Sequence, residues 1–212
     1  HKRIKSEKGL TPGEYLDKIG FLDEDVIAAH LVWLGAGDVK ILKERGVSAV
    51  HNPLSNMRLA DGIPATWALK RAGVPIALGA DGSASSDNQD LFAAMRLAAF
   101  LPRGFTLDPS SMTAREVFAM ATRMGYSVLG LRGGELKEGY PADIALIDLR
   151  HPSLYPQNDI VNQLVLSAHP GVVKGLIVDG KLLYYDGEYF TINKEEVYLK
   201  IQKIIKRIRS GA

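Results

Sequence analysis

The sequence predicts an α/β fold in which β/α units place their strands side by side in one parallel sheet. Short apolar runs rich in β-branched residues alternate with stretches of helical character, and glycine or polar residues separate them. The strand-like runs are 26–29, 47–50 and 75–79, and the helix-like stretches between them are 37–44 and 62–72. Right-handed crossovers make strands connected in this way parallel.

A further observation concerns the residues that follow these runs. His30 ends the first run, His51 ends the second, and Asp81 comes just after the third. The carboxyl ends of parallel strands meet at one edge of a sheet, where α/β proteins carry their sites. A single histidine at a strand end is more often structural, so the repeated placement is what indicates a site. An unpaired aspartate at such a place is costly, so we expect a metal ion or a histidine beside Asp81.

The composition excludes several classes of protein. The 212 residues are 46% hydrophobic and 24% charged, which is ordinary for a globular chain. A net charge of +2 gives no reason to expect a nucleic acid. No apolar run approaches the roughly 20 residues that span a bilayer, and we expect a cytoplasmic protein. Because cysteine is absent, only His, Asp and Glu side chains can hold a metal.

The chain divides into three predicted parts. Residues 1–132 hold the β/α units, and a helix that starts at Thr11-Pro12 belongs to a unit whose own strand is missing. We therefore expect only the last part of a barrel here. Residues 133–192 are predicted to form a small β portion, with a hairpin turn at Asp179-Gly180. Residues 193–212 are predicted to form an amphipathic C-terminal helix.

Two longer helices are predicted between Asp81 and the β portion. The first spans 88–101, with Ser86 or Asp87 as its N-cap and Pro102 as its end. The second spans 113–124 and starts with the capping box of Thr113 and Glu116. A third, short helix is expected over 126–129.

Some polar segments have two interpretations. The loop 52–56 is either an ordinary turn capped by asparagine or a contact to a substrate, and we include Asn56 among the candidate site residues. The segment that starts at Gly82-Ser83 resembles a phosphate loop only weakly, because it lacks the spaced glycines and the lysine of that motif. We include Ser83 as a candidate substrate contact. His151 and His169 lie beside prolines and are expected to be structural.

Several motifs together resemble the C-terminal half of the metal-dependent amidohydrolases, nearest the branch of methylthioadenosine/S-adenosylhomocysteine deaminases and triazine hydrolases. The resemblance extends from about Leu16 onward. It is carried by Ala28-Ala-His30, Val50-His-Asn-Pro53, Ser55-Asn56, Leu78-Gly-Ala-Asp-Gly82, Met95-Arg-Leu-Ala98, Gly134-Glu-Leu-Lys-Glu-Gly139 and Val178-Asp-Gly-Lys181.

The resemblance implies a fold, a cofactor and three residue roles. The fold is the C-terminal part of a (β/α)8 TIM barrel with an appended β-sandwich portion. The cofactor is one divalent metal, usually zinc, with iron or manganese as alternatives. Asp81 is implied to ligate the metal and to accept the proton of the attacking water. His30 is implied to act near the water and the leaving group, and His51 to contact the substrate.

The sequence also departs from the family pattern. The histidine pair of the first strand, the histidine ligand of the fifth strand and its nearby glutamate have no counterpart, and His1 is a candidate ligand by position only. We therefore expect the N-terminal half of the barrel as a missing partner, and an isolated chain that is inactive. Exposed inner strand faces should make the chain associate, so a homo-oligomer is expected.

Three functions are compatible with these residues. The first is a hydrolytic deaminase of an adenosine-like heteroaromatic substrate. The second is a triazine or pterin amino- or chlorohydrolase with the same apparatus. The third is a non-catalytic half-barrel that binds a partner, for which the absence of three metal-site residues is the argument. An aspartate that delivers a proton suits an amine leaving group better than chloride.

Overall fold

A computed structural model of the protein describes residues 1–211 and contains two separate sheets. The strands are β1 Ile27–Ala29, β2 Ser48–His51, β3 Ile76–Leu78, β4 Ile144–Ile147, β5 Val173–Val178, β6 Lys181–Tyr185 and β7 Glu188–Tyr189. The helices are α1 Lys2–Lys8, α2 Pro12–Lys18, α3 Ala36–Glu44, α4 Pro53–Arg58, α5 Thr66–Ala72, α6 Ser83–Ser86, α7 Leu91–Thr106, α8 Ala114–Ala121, α9 Arg123–Val128, α10 Ile160–Leu166 and α11 Lys194–Ser210. The alternation of strands and helices confirms the predicted α/β class.

The first sheet has the order β1-β2-β3, and both of its strand pairs are parallel. The register pairs Ala29 with Val50 and His51 with Leu78, so the three strands end at a common edge. All three residues of β3 are buried. A strand buried on both faces is typical of a parallel sheet that is covered by helices.

The main core lies between this sheet and the helices α3, α5, α7 and α8. Its most buried members include Val47, Ala49, Leu69 and Val117, each at most 2% exposed. Burying a valine or leucine side chain contributes about 1.5–3 kcal/mol. The core therefore fixes the strands, and with them the edge at which they end.

The second sheet is antiparallel, with the order β4-β5-β6-β7. Residues 133–192 are not purely β, because they also contain α10 and two short 3-10 turns at Pro152–Leu154 and Pro170–Val172. Val165 of α10 belongs to the main core. Arg96 of α7 donates hydrogen bonds to the carbonyl oxygens of Leu166, at 2.9 Å, and Ala168, at 2.6 Å. These contacts tie the later segment to the β/α units.

Several predicted helix boundaries are wrong. Helix α7 starts at Leu91, with Asp90 as its N-cap, and it continues past Pro102 to Thr106. Pro102 is buried and lies inside the helix although it has no backbone N–H to donate, and its carbonyl accepts a hydrogen bond from the Thr106 hydroxyl at 2.8 Å. Helix α5 starts at Thr66 rather than 62, since Pro64 precedes it. The capping box of Thr113 and Glu116 is confirmed.

Helix α11 is amphipathic but has no buried residue. Its apolar side chains remain between 39% and 71% exposed, and they are Val197, Tyr198, Leu199, Ile201, Ile204, Ile205 and Ile208. Among residues 1–211, no helix is long and apolar enough to cross a membrane.

Candidate functional site

At the carboxyl edge of the parallel sheet, both His30 and Asp81 have unusual backbone geometry. His30 follows β1 with φ 68°, and Asp81 follows β3 with φ 60°. Non-glycine residues rarely adopt this left-handed conformation, which costs on the order of 1–3 kcal/mol and concentrates at functional sites. The His30 backbone N–H still bonds to the Val50 carbonyl at 3.0 Å. The hydrogen bonding between β1 and β2 therefore continues as far as His30, where the left-handed backbone conformation begins.

His30 and Asp81 face each other across this edge. His30 Nε2 lies 3.9 Å from Asp81 Oδ2, and the two side chains are 38% and 30% exposed. That distance is too long for a direct hydrogen bond but leaves room for a bridging water or a reacting atom. On its other side, His30 Nδ1 lies 2.7 Å from Oδ1 of Asn56, in helix α4.

His51 lies at the end of β2, between these two residues in strand order. The residue is only 3% exposed, and neither ring nitrogen has a partner among the described residues. Burial lowers the pKa of His51 from 6.5 to about 4, with a smaller contribution from His30 when that ring is protonated. The imidazole is therefore neutral at pH 7. An unpaired neutral imidazole can donate one hydrogen bond and accept another.

The carboxylate of Asp81 is stabilised in its ionised form. The Ser55 hydroxyl lowers the pKa of Asp81 most, followed by the Gly82 backbone N–H, which donates to Oδ1 at 2.8 Å. Partial desolvation opposes this lowering of the pKa, and His30, when protonated, adds to it. Ser55 is buried and its hydroxyl forms no hydrogen bond within residues 1–211, so it acts on Asp81 as a neighbouring polar group. Gly82 is therefore the firm partner of the carboxylate.

Ser83 lies beside Asp81 at the start of helix α6 and is exposed. The Gln89 side-chain amide donates to Ser83 Oγ at 3.2 Å and to the Asp81 carbonyl at 2.9 Å. An ion pair between Arg58 and Asp87 joins helix α4 to the end of α6. Hydrogen bonds within this segment thus hold Ser83 near Asp81.

Sequence reasoning missed two parts of the site. One is helix α4, which occupies most of the segment predicted as a loop and buries Ser55 and Asn56. The other is the contact between Asn52 and Gly79. An ideal Cβ at Gly79 would lie 2.3 Å from Asn52 Oδ1, so only glycine fits there. The glycine two residues before Asp81 was a visible signal of close packing.

The remaining histidines lie elsewhere. His1 stacks on Trp33, with ring centroids 5.8 Å apart. His151 and His169 meet edge to face at 4.8 Å, and each accepts a backbone N–H at the start of a 3-10 turn. Within residues 1–211 there is no group of three or more His, Cys, Asp or Glu side chains that could hold a metal.

The sequence matches the model of the amidohydrolase family over residues 1–183, which is most of the chain. The chain belongs to the amidohydrolase family. The family match thus agrees with the resemblance that the motifs around His30, His51 and Asp81 carry. These three residues lie at one edge of the parallel sheet.

Named relatives of this amidohydrolase are deaminases. A 5-methylthioadenosine/S-adenosylhomocysteine deaminase of Thermococcus onnurineus is 48% identical over 188 residues, which cover 89% of this chain and 44% of that protein. A 5'-deoxyadenosine deaminase of Methanocaldococcus jannaschii is 39% identical over 210 residues, covering 99% of this chain and 50% of that protein. The chain therefore spans about half the length of the curated relatives that it matches.

Solved structures agree with this assignment. A zinc-bound adenosine deaminase from Xanthomonas campestris superposes with a TM-score of 0.94 at 30% identity, covering 99% of this chain and 48% of its own. A zinc complex of atrazine chlorohydrolase from Arthrobacter aurescens superposes with a TM-score of 0.89 at 26% identity, covering 96% and 46%. This amidohydrolase thus shares its fold with half of each structure.

Proposed function

We propose that this chain is the C-terminal half of a metal-dependent hydrolase that deaminates an adenosine-like substrate, such as 5-methylthioadenosine or S-adenosylhomocysteine. The observation that carries the proposal is the pairing of Asp81 and His30 across 3.9 Å at the carboxyl edge of the parallel sheet. Relatives at 39–49% identity that are named as adenosine-type deaminases support the substrate class.

Asp81 is the proposed base. Its lowered pKa keeps the carboxylate ionised at neutral pH, and its side chain is partly exposed to a reactant. Hydrolytic deamination adds water to the ring carbon that carries the amino group and then breaks the C–N bond. Asp81 accepts the proton of the attacking water and delivers it to the departing nitrogen, so that ammonia leaves as a neutral molecule.

His30 and His51 have separate proposed roles. His30 Nε2 faces Asp81 and polarises or orients the group between them. His51 is neutral and unpaired within the described residues, so its ring can bond to a nitrogen or oxygen of the heteroaromatic substrate. Ser83 is exposed next to Asp81 and is a further proposed contact.

We also propose that Asp81 is one ligand of a divalent metal, with zinc as the first choice and iron or manganese as alternatives. An accessible ionised carboxylate fits such a role. The metal would lower the pKa of water towards about 7. A zinc site takes at least three protein ligands. We propose that the remaining ligands come from the part of the full-length protein that corresponds to the unmatched half of the relatives.

The finer architecture follows from the same proposal. Residues 1–132 would form the last strands and helices of a (β/α)8 barrel, residues 133–192 part of a β-sandwich, and residues 193–212 a terminal helix, of which Ala212 lies outside the described residues. The four-stranded antiparallel sheet would be one layer of that sandwich. We further propose that the protein forms a homo-oligomer in which the exposed apolar side chains of α11 are covered. A cytoplasmic location is also part of the proposal.

The test is a direct substrate comparison with the full-length protein that contains this sequence. Methylthioadenosine, S-adenosylhomocysteine, a pterin and an aminotriazine are supplied separately with zinc, and ammonia release is measured. We expect turnover of the two nucleosides. Turnover of only the pterin or the triazine would refute the adenosine-like substrate but leave the proposal of a metal-dependent hydrolase in place. The absence of all turnover would favour the non-catalytic half-barrel.

A further inference from the structure

Asn56 lies beneath the site rather than at its surface. The residue is 0% exposed and is held by helix α4, which starts directly after the strand that ends in His51. Its backbone N–H bonds to the Asn52 carbonyl at 3.0 Å, and its own carbonyl accepts the Asp61 N–H at 2.9 Å. These bonds fix the backbone of Asn56, and full burial confines its side chain.

The side-chain oxygen of Asn56 points at His30. Asn56 Oδ1 lies 2.7 Å from His30 Nδ1, which is a short hydrogen bond for these atom types. An amide oxygen only accepts, so the hydrogen must reside on Nδ1. In a neutral imidazole the other nitrogen, Nε2, then carries a lone pair. That nitrogen is the one that faces Asp81 at 3.9 Å.

We infer that Asn56 is a positioning residue that holds His30 in its Nδ1–H tautomer, with the Nε2 lone pair directed at the space beside Asp81. In this form His30 accepts a hydrogen bond from whatever lies between the two side chains, and Asp81 accepts a second one. A water or amine there could donate to both groups at once. The other tautomer would place an N–H in this space and could not accept.

Asn56 thus acts on His30 rather than on a substrate. A fully buried side chain reaches a substrate only after its surroundings open. Its catalytic consequence rests on the proposed deaminase function, but the tautomer itself does not. The tautomer can therefore be tested without any substrate.

The test is ¹⁵N NMR of the histidine rings in the metal-free full-length protein, because the two ring nitrogens give distinct shifts when protonated and unprotonated. The His30 signals are assigned by their loss in His30→Gln. We expect Nδ1 of His30 to be protonated in the wild type. Asn56→Leu should shift His30 towards the Nε2–H form, whereas Asn56→Asp, which keeps an accepting oxygen, should preserve Nδ1–H.

A matched control separates tautomer control from general disturbance of the core. Thr66→Val also replaces a buried polar group, 2% exposed and without a hydrogen-bond partner for its hydroxyl in residues 1–211, and it should leave the His30 shifts unchanged. A protonated Nε2 in the wild type would overturn the inference. If Asn56→Leu does not fold, loss of Nδ1–H in Asn56→Asp would overturn it equally.

Measuring kcat and KM of the Asn56 variants provides a second test. Removing the partner that orients a metal-bound histidine typically costs about 10- to 100-fold in activity, and we take the same range for His30. We expect Asn56→Leu to lower kcat by about this factor with a smaller change in KM, and Asn56→Asp to recover most of it. A rise in KM with unchanged kcat would instead indicate a substrate contact. Failure of every tested nucleoside would count against the proposed function and leave the NMR result standing.

Discussion

The buried histidine at the end of β2 makes the stability of the protein depend on pH. His51 has a pKa of about 4 in the folded protein, against 6.5 for an unperturbed histidine, because burial disfavours its charged form. Between these two values the unfolded state binds the proton and the folded state does not. The free energy of unfolding must therefore fall as the pH falls from 6.5 to 4.

The size of this effect follows from the two pKa values. They differ by about 2.5, and each pH unit is equivalent to about 1.4 kcal/mol, so His51 should remove about 3 kcal/mol of stability by pH 4. At pH 7 the loss is close to zero. Against a typical total of about 5–15 kcal/mol, this is a large share.

The assay is urea denaturation of the full-length protein at pH 7, 6, 5 and 4.5, with a chelator in every sample so that metal release does not contribute. Protonation of Asp81 and of other carboxylates with lowered pKa also reduces the stability of the protein in acid. The comparison is therefore with His51→Gln, which retains these carboxylates. The difference between the two pH profiles isolates His51. We expect the variant to have the shallower profile, and parallel profiles would refute the argument.

The remaining predictions concern the site and its support. His30→Gln should lower turnover by about 10²-fold or more, and His169→Gln, a control outside the site, should remain near the wild-type rate in the same ammonia assay. Gly79→Ala should lower the free energy of unfolding by about 1–3 kcal/mol, because its Cβ would collide with Asn52. Gly82→Ala, where the same Cβ meets open space, should change it little, and equal losses would contradict the packing argument. The isolated 212-residue chain should bind zinc weakly, so stoichiometric zinc after dialysis would contradict the expected shortage of ligands.

The sequence predicted the parts of the fold that depend on periodicity. The runs that became β1, β2 and β3 were visible because buried parallel strands are continuous apolar stretches between turn residues. Their parallel order followed from the handedness of crossovers. His30, His51 and Asp81 could then be placed at one edge without any knowledge of their contacts.

The missed features depend on tertiary contacts. Pro102 was expected to end a helix, but packing of its buried ring keeps α7 intact to Thr106. Helix α4 is too short to show a hydrophobic period, and so the burial of Asn56 and its bond to His30 had no signal in the sequence. Local pattern located the site, whereas the partners that orient its side chains are set by packing between distant segments.

Asp81 is the proposed base of a hydrolytic deaminase. The most direct measurement compares ammonia release from methylthioadenosine by the full-length wild type and by Asp81→Asn, with circular dichroism to confirm that both are folded. Asparagine keeps the size and hydrogen-bonding capacity of the side chain but removes its charge and basicity. We expect the folded variant to have no measurable turnover. A folded Asp81→Asn protein that works at the wild-type rate would contradict it.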